Sequence, residues 1–236
     1  MKMAVYSGIG AIGIREQDLP DPEPGWVRVA ISSAGICGTD LHIYHAALGD
    51  PAGMQPGHEI AGWILAAGDG THMETGTHVA VEPLLGCGGC HPCRVGKANL
   101  CSDVRLFGIA LPGGLAEYIC VPESLVHPLP ADLGPAAAGL TEPMAVCVRG
   151  ARIGRISMGD RVAIIGAGSI GLLSTSPRGT PARRRCSSSP ATRTSRNWPG
   201  LWVRIMSSRA RKRCSGKWAT SMPMWWWKPW AGAPIR

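Results

Sequence analysis

Four cysteines are confined to one segment of fifteen residues, CGGCHPCRVGKANLC, with the spacing C-x2-C-x2-C-x7-C. Zinc binds four thiolates at the corners of a tetrahedron, about 2.3 Å from the metal, and short gaps with glycine let the backbone fold around the ion. This spacing predicts a closed, structural zinc site rather than an iron–sulfur cluster or four unrelated thiols. The predicted ligands are Cys87, Cys90, Cys93 and Cys101, and we interpret His91 between them as a solvated bystander.

A second set of candidate ligands is divided between two segments, GICGTDLHIY and PGHEIAGWILAAG. These segments contain, in chain order, Cys37, Thr39, Asp40, His42, His58 and Glu59. Each residue is a weak signal by itself, because a single histidine at the start of a strand is more often a hydrogen-bonded turn residue than a ligand. A catalytic zinc site needs several such side chains to converge and one coordination position to stay open.

A glycine motif, G-x-G-x-x-G, directly follows the apolar stretch RVAII and comprises Gly166, Gly168 and Gly171. In dinucleotide-binding domains the first glycine permits a tight turn, the second lets the backbone approach a pyrophosphate, and the third lets helix pack on strand. The phosphate then lies at the N-terminus of the following helix. Such a site also needs an acidic residue about twenty positions later, but the sequence has Arg193 and Arg196 there and no acidic residue further along.

The elements that must position these motifs are strands in the first half of the chain and helices after them. Val- and Ile-rich stretches between Gly and Pro turns predict an antiparallel barrel or sandwich. The predicted strands lie within 26–36, 58–68, 77–83 and 115–122. An Ala-rich stretch at 135–153 predicts a helix that Pro143 either interrupts or starts. The order is a β domain, a helical connection and the opening of an α/β domain.

These motifs, in this order, resemble the zinc-dependent medium-chain alcohol dehydrogenase family over residues 1 to about 173. The resemblance rests on GICGTDLHIY, the GHE segment, the four-cysteine segment and GAGSIG. It implies an α/β-family protein in which a GroES-like β-barrel catalytic domain, residues 1–150, is followed by the start of a Rossmann dinucleotide-binding domain, residues 151–173. In that family the catalytic zinc lies in the cleft between the two domains.

The resemblance also implies which residues bind the catalytic zinc. Cys37 and His58 are the implied ligands, and Glu59 is the adjacent carboxylate that binds or exchanges at the metal. The last protein ligand is a Cys in alcohol dehydrogenases proper and a Glu in polyol dehydrogenases, and the segment TEPMAV has Glu142 at this position. The chain therefore resembles the polyol, threonine and sorbitol dehydrogenase branch, and we interpret Cys147 as an ordinary core thiol.

The implied reaction is hydride transfer from a small secondary alcohol or polyol to NAD(P), with one catalytic and one structural zinc per chain. A zinc ion with an open position lowers the pKa of an alcohol towards neutrality. The hydroxyl proton then needs a route out of the cleft, which Thr39 and, beyond it, His42 would provide. Alternatively, or in addition, Thr39 caps the helix that begins DLHIY. Intact members of the family are expected to be homo-oligomers.

The composition changes abruptly after Leu173. Residues 1–173 carry 10 Lys and Arg and all 16 Asp and Glu, whereas residues 174–236 carry 14 Lys and Arg, no acid and seven of the nine Trp. The second segment has no amphipathic period, which predicts disorder. The sequence shows neither the apolar core of a signal peptide nor a run of transmembrane length. Nine cysteines in such a chain indicate metal or thiol chemistry in the cytosol.

A shift of reading frame explains this change of composition. Each codon of the alternative frame takes the last base of one codon and the first two bases of the next. The stretch MWWWK at 224–228 then specifies V-V-V-E, and its surroundings are compatible with ADVVVEAVG. Residues 197–207 are compatible with LAGTLGADHV. Both stretches resemble the family's cofactor domain, in the right order, so we predict a frameshift between about Leu173 and Arg183.

Three functions remain open on the sequence alone. The first is an oxidoreductase by descent, inactive as written because its cofactor domain is incomplete. The second is a non-catalytic, zinc-binding remnant. The third is nucleic-acid binding by the basic, Trp-rich segment through phosphate contacts and stacking. We expect no specific nucleic-acid partner, because the shifted frame already explains the composition of that segment, and no membrane partner.

Overall fold

Strands dominate the first 130 residues and helices follow them. The computed structural model describes residues 1–19, 21–157, 160, 162–166, 168–175 and 204–207. The strands are β1 (Lys2–Gly8), β2 (Ala11–Glu16), β3 (Trp26–Gly35), β4 (Glu59–Ala67), β5 (His78–Val81), β6 (Leu84–Leu85), β7 (Arg105–Leu106), β8 (Tyr118–Pro122), β9 (Val126–Pro128), β10 (Val162–Ile165) and β11 (Arg204–Ser207). The helices are α1 (Gly38–Tyr44), α2 (His91–Arg94), α3 (Pro135–Ala138), α4 (Thr141–Ile153) and α5 (Ser169–Leu173), with 3-10 turns at Ala98–Leu100 and Glu123–Leu125. No helix within these ranges is long and apolar enough to cross a membrane.

The central sheet has five antiparallel strands in the order β8-β3-β4-β5-β9. All four strands predicted from the sequence belong to it, so the antiparallel β domain is confirmed. The pairing of β3 with β4 is irregular between Arg28 and Val29 and again between Ile31 and Ser33. Such irregularities bend a strand and increase its twist. The hairpin β1–β2 and the short pair β6–β7 are separate two-stranded sheets.

One face of the central sheet forms the hydrophobic core. Its buried side chains are mostly β-branched and alternate along the strands, as expected for a sheet with one face against the core. They are Val27, Val29, Ile60, Ile64, Val79, Val81, Phe107, Ile119, Val121, Leu125 and Val126. Each such side chain contributes about 1.5–3 kcal/mol when fully buried, so this cluster stabilises the strands that lead to the candidate ligands.

The Ala-rich stretch at 135–153 forms two helices, α3 and α4, rather than one. Pro143 is the third residue of α4, so it starts this helix and does not interrupt it. The first turn of a helix tolerates proline because its N–H groups have no partner within the helix. Cys147 in α4 is buried, and its Sγ donates to the carbonyl of Ile170 in α5 at 3.5 Å. The prediction that Cys147 is a core thiol is confirmed.

The segment after α4 begins as the sequence predicts, with a strand, a glycine loop and a helix, β10 and α5. Among the described residues, β10 has one neighbouring strand. It pairs antiparallel with β11, with Val162 opposite Ser207 and Ile165 opposite Arg204. This partner pairs the N–H and C=O groups along one edge of β10. Disorder is predicted for 174–236, and the structure describes only residues 174–175 and 204–207 of this segment. For the other residues the prediction lies outside the described part of the chain.

Candidate metal centres

The four cysteines of the predicted structural site, hereafter the cysteine lobe (Cys87, Cys90, Cys93 and Cys101), converge. Their sulfur atoms all lie within 4.8 Å of one another. Cys90 immediately precedes α2, Cys93 lies within it, and Cys101 follows the 3-10 turn at Ala98–Leu100. Helix α2 and this 3-10 turn fold the segment back on itself, so that four cysteines separated along the chain meet at one point. His91 is exposed, in agreement with its interpretation as a bystander.

Backbone N–H groups point at the sulfur atoms of the cysteine lobe. Cys101 Sγ accepts from the N–H groups of Cys87 at 3.4 Å and Asp103 at 3.3 Å, and Cys87 Sγ accepts from Cys90 N–H at 3.4 Å. Hydrogen bonds from the amides of Cys90 and Gly89 lower the pKa of Cys87 to about 7. The amide of Cys93 lowers the pKa of Cys90, but burial and hydrogen bonds with the other thiols outweigh it and raise this pKa to about 12. The fit to a zinc ion therefore rests on the convergence of four sulfur donors, which is the ligand set of a structural zinc site.

The second candidate site is a mixed set, hereafter the Cys37 cluster (Cys37, His58 and Glu59). One ligand atom from each residue lies within 4.8 Å of the others. Cys37 directly precedes α1, His58 directly precedes β4, and Glu59 is the first residue of that strand. The cluster therefore depends on the register of β3 and β4, in which Gly35 lies opposite Glu59.

Two glycines make room for the Cys37 cluster. A Cβ atom on Gly35 would overlap the Glu59 carboxylate, so the absence of a side chain there lets Glu59 lie against β3. Gly57, just before His58, has φ +100°, and a Cβ atom on it would be 2.7 Å from the backbone nitrogen of Leu115. The left-handed conformation and the close approach both favour glycine.

Asp40 connects the two segments that carry the Cys37 cluster. It is buried in α1, and its Oδ2 accepts from Cys37 N–H at 2.8 Å. Its Oδ1 accepts from Gly57 N–H at 3.3 Å and lies 3.8 Å from His58 Nδ1. One carboxylate thus fixes the backbone beside one candidate ligand and faces the ring of another, an arrangement that orients ligands in metal sites.

The electrostatics of the Cys37 cluster favour a cation. Burial lowers the pKa of His58, but the hydrogen bond to Cys37 and the negative charges of Cys37, Asp40 and Glu142 outweigh burial and raise this pKa to about 9. Among the described residues, the buried His58 Nδ1 has no hydrogen-bond partner. A thiol, an imidazole and a carboxyl group are all zinc donors. A negative, partly buried site of this composition fits zinc.

Glu142, the other predicted ligand, approaches the Cys37 cluster from α4. Burial raises the pKa values of both Glu142 and Glu59; the charge of His58 opposes this shift at each, and at Glu142 the charge of Glu59 adds to it. Glu142 therefore lies close enough to interact with both residues, but it is outside the set whose ligand atoms are all within 4.8 Å. Its role as a ligand stays a prediction.

Thr39 and His42 lie on α1, beside the Cys37 cluster. Thr39 Oγ1 is 3.7 Å from Cys37 Sγ, and His42 is partly buried in the last turn of the helix. The alternative in which Thr39 caps this helix is wrong. The cap residue is Cys37, whose N–H is bonded by Asp40 three residues later, and Thr39 is already the second residue inside the helix.

The glycine motif has the local geometry expected of a nucleotide loop. Gly166 has φ +111° and directly follows β10. Gly168 is the cap residue of α5, and Gly171 is buried within that helix. The positions expected to bind the ribose, Arg193 and Arg196, lie outside the described residues. This local geometry agrees with the predicted pyrophosphate-binding loop, whose role stays a prediction.

Residues 23–131, which contain the cysteine lobe and the Cys37 cluster, match the alcohol dehydrogenase GroES-like domain. The L-threonine 3-dehydrogenase of Pyrococcus horikoshii is 38% identical over 176 residues, which cover 72% of this chain and 50% of that protein. The chain belongs to the zinc-dependent medium-chain alcohol dehydrogenase family. The GroES-like β domain implied by the sequence is therefore confirmed.

Two solved structures from Escherichia coli extend this alcohol dehydrogenase comparison. Galactitol-1-phosphate dehydrogenase is 34% identical with a TM-score of 0.70, over 74% of this chain and 51% of that one. An alcohol dehydrogenase from strain CFT073, complexed with NADH, is 35% identical with a TM-score of 0.69, again over 74% and 51%. The chain thus spans about half the length of the dehydrogenases that it matches.

The sequence did not reveal the residues that support the Cys37 cluster. Asp40 was noted among the candidates, but its link to Gly57 joins positions far apart in the chain. The spacing of Asp40, three residues after the cap residue Cys37, is that of a capping box and could have indicated its bond to the Cys37 N–H. No local signal could have indicated that Gly35 makes room for Glu59.

Proposed function

We propose that this chain carries the catalytic domain of a zinc-dependent oxidoreductase that transfers a hydride from a secondary alcohol or polyol to NAD(P). The observation that carries the proposal is the convergence of three different donors from separate elements, Cys37, His58 and Glu59. A closed four-thiolate site has no position for substrate, whereas a mixed set of three ligands leaves one open. The names of the relatives, a threonine dehydrogenase and a galactitol-1-phosphate dehydrogenase, support an alcohol as substrate.

In this proposal Cys37, His58 and Glu142 hold the catalytic zinc, Glu59 binds or exchanges there, and the cysteine lobe holds a structural zinc. Zinc supplies Lewis-acid chemistry that lowers the pKa of an alcohol. The chain's own residues fix the site: Asp40 holds the Cys37 backbone and faces the His58 ring. His58 is buried and Glu59 and Glu142 are partly buried, which limits the access of water and strengthens electrostatic interactions at the site.

The hydroxyl proton of the substrate would leave along α1. Thr39 Oγ1 lies next to Cys37 Sγ, so it is placed to accept that proton at the edge of the site. His42 is three residues further along the same helix, and residues with this spacing are neighbours on a helix surface. Because His42 is partly exposed, its imidazole can pass the proton to solvent.

For the cofactor, the described residues supply the glycine loop of Gly166, Gly168 and Gly171. Bound NADH in a related structure supports a nicotinamide cofactor. No acidic residue follows Asp160 in this sequence, so no carboxylate is present for the ribose hydroxyls. We therefore propose that the reading frame is shifted after about Leu173 and that the chain as written does not turn over.

The test compares the chain as written with a chain in which one base inserted between codons 173 and 183 restores the frame. The restored chain should oxidise secondary alcohols or polyols with NAD(P), and the chain as written should not. Cys37→Ser should abolish this activity, whereas Cys120→Ser, a partly buried thiol outside both clusters, should retain it. A restored chain without activity on any such alcohol would contradict the proposal.

A second candidate function is a zinc-binding remnant without catalysis. It is favoured by the position of both candidate centres, which use residues between Cys37 and Cys101 and need nothing from the segment after Leu173. This remnant would bind two zinc ions but no nicotinamide cofactor. Titration of the chain as written with NADH, followed by fluorescence, separates the two functions, because saturable binding would argue against the remnant.

A further inference from the structure

Tyr6 in β1 contacts both chain segments that carry the Cys37 cluster. Its hydroxyl donates to the backbone carbonyl of Asp40 in α1 at 2.9 Å. Its own N–H donates to Met54 C=O at 2.9 Å, and its carbonyl accepts from Gly53 N–H at 2.8 Å. The first bond holds the helix that follows Cys37, and the other two hold the chain shortly before His58.

The contacts of Tyr6 converge with those of Asp40. The Asp40 carbonyl is held by Tyr6, while its carboxylate bonds the N–H groups of Cys37 and Gly57. A shift of α1 relative to β1 would therefore move the carboxylate away from the segment that leads to His58. Tyr6 and Asp40 together form a link between the N-terminal hairpin and two of the three candidate ligands.

The environment of Tyr6 makes this link rigid. The side chain is only 2% exposed, so the ring has little freedom to leave its position. Burial and the negative charge of Asp40 raise the pKa of Tyr6 to about 12. The phenol therefore keeps its proton at neutral pH and stays a hydrogen-bond donor.

We propose that Tyr6 is a positioning residue for the Cys37 cluster: its hydrogen bonds set the separation of Cys37 and His58 before a metal binds. The inference rests on the proposed function, because it assumes that this cluster binds zinc. Ligands held in place by supporting hydrogen bonds bind a metal more tightly, since less ordering is needed on binding. Tyr6 acts through Asp40 and touches neither metal nor substrate.

The experiment follows Co2+ binding to the full 236-residue chain by visible absorption, because cobalt occupies tetrahedral zinc sites. Cys37→Ser identifies the part of the spectrum that belongs to the Cys37 cluster, and the remaining absorption belongs to the cysteine lobe. Tyr6→Phe then removes only the hydroxyl. The matched control is Tyr44→Phe, which removes a hydroxyl that donates to Gly10 C=O across the same hairpin–helix contact.

Tyr6→Phe should weaken Co2+ binding at the Cys37 cluster by roughly three- to tenfold, as expected for loss of one supporting hydrogen bond. Binding at the cysteine lobe should stay unchanged, and Tyr44→Phe should change neither site. In an Asp40→Asn background the effect of Tyr6→Phe on affinity should shrink, because the effects of two substitutions in one hydrogen-bond network are not additive. A 4-aminophenylalanine at position 6, which restores a donor, should recover most of the affinity.

Three results would overturn the positioning role of Tyr6. Unchanged affinity at the Cys37 cluster would show that the hydroxyl is dispensable. An equal loss at the cysteine lobe would make Tyr6 a general stabiliser of the fold, and fully additive effects with Asp40→Asn would remove the link through Asp40. By contrast, if Cys37→Ser leaves the wild-type cobalt spectrum unchanged, the metal centre itself is absent and the proposed function fails.

Discussion

The cysteine lobe and the Cys37 cluster are built in opposite ways. The lobe takes all four donors from fifteen consecutive residues, and its most accessible thiol, Cys87, is exposed. The Cys37 cluster takes its donors from the ends of β3 and β4, and His58 is only 6% exposed. Local turns are enough to form the first centre, whereas the second depends on strand register and on Asp40. The first is suited to hold a loop, and the second to present a metal to a ligand.

The largest expected effect comes from removing one thiol from each centre. Cys101→Ser and Cys37→Ser should each lower the zinc content by one ion per chain. The metal affinity of the altered site should fall at least about a hundredfold. Only Cys101→Ser should also open the loop, because its sulfur accepts two backbone N–H bonds. Zinc content by atomic emission and limited proteolysis of residues 87–105 measure the two consequences.

This pair of substitutions has an internal control for the fold. Cys37 is the cap residue of α1, and serine is a good residue at that position, so Cys37→Ser should not destabilise the helix. Loss of both metals after either substitution would contradict the independence of the two centres.

The next effect concerns Asp40, whose carboxylate has no counterpart in the cysteine lobe. Asp40→Asn should weaken metal binding at the Cys37 cluster by about ten- to hundredfold, as is typical for residues that orient a ligand. The matched control is Asp103→Asn, because Asp103 supports the lobe only through its backbone N–H. Co2+ titration of both variants checks this, and an equal loss at the two centres would contradict it.

The same contrast explains how much of the site the sequence could predict. The cysteine lobe was found from spacing alone, because its geometry is set by neighbouring residues. Cys37, His58 and Glu59 were each weak signals, and only the resemblance to a family joined them. The bond of Tyr6 to Asp40 spans 34 residues, and contacts of that kind leave no periodic pattern in a sequence.

The fold shows a similar division. The four main strands were predictable, because short Val- and Ile-rich stretches between Gly and Pro turns are typical of strands. The break between α3 and α4 was not, since it depends on which backbone groups find partners in three dimensions. The pairing of β10 with β11 joins segments far apart in the chain, so no local pattern in the sequence indicates it.

A smaller effect concerns pH and the Cys37 cluster. The raised pKa of His58, about 9, means that its imidazole is protonated at neutral pH without metal and must lose that proton to bind zinc. Metal binding should therefore strengthen by up to about tenfold per pH unit for this proton as the pH rises towards 9, and level off above it. Calorimetry in buffers of different ionisation enthalpy measures the protons released.

That proton count also tests the charges around His58. The number of protons released at the Cys37 cluster should fall by about one between about pH 7 and pH 10. Asp40→Asn removes one negative charge and should move this change to lower pH, because a nearby negative charge favours the imidazolium. The same release at both pH values would contradict the raised pKa.

The smallest effect distinguishes the histidines next to the two centres. In the frame-restored chain His42→Ala should lower kcat for alcohol oxidation by about tenfold, the low end for a group that moves a proton. His91→Ala is the matched control and should change nothing, because His91 is exposed on the lobe and the four thiolates already fill the coordination of zinc. If His42 relays a proton, imidazole added to the buffer should restore part of the lost rate. Equal rates for both variants would place the proton route elsewhere and leave Thr39 to be tested in the same way.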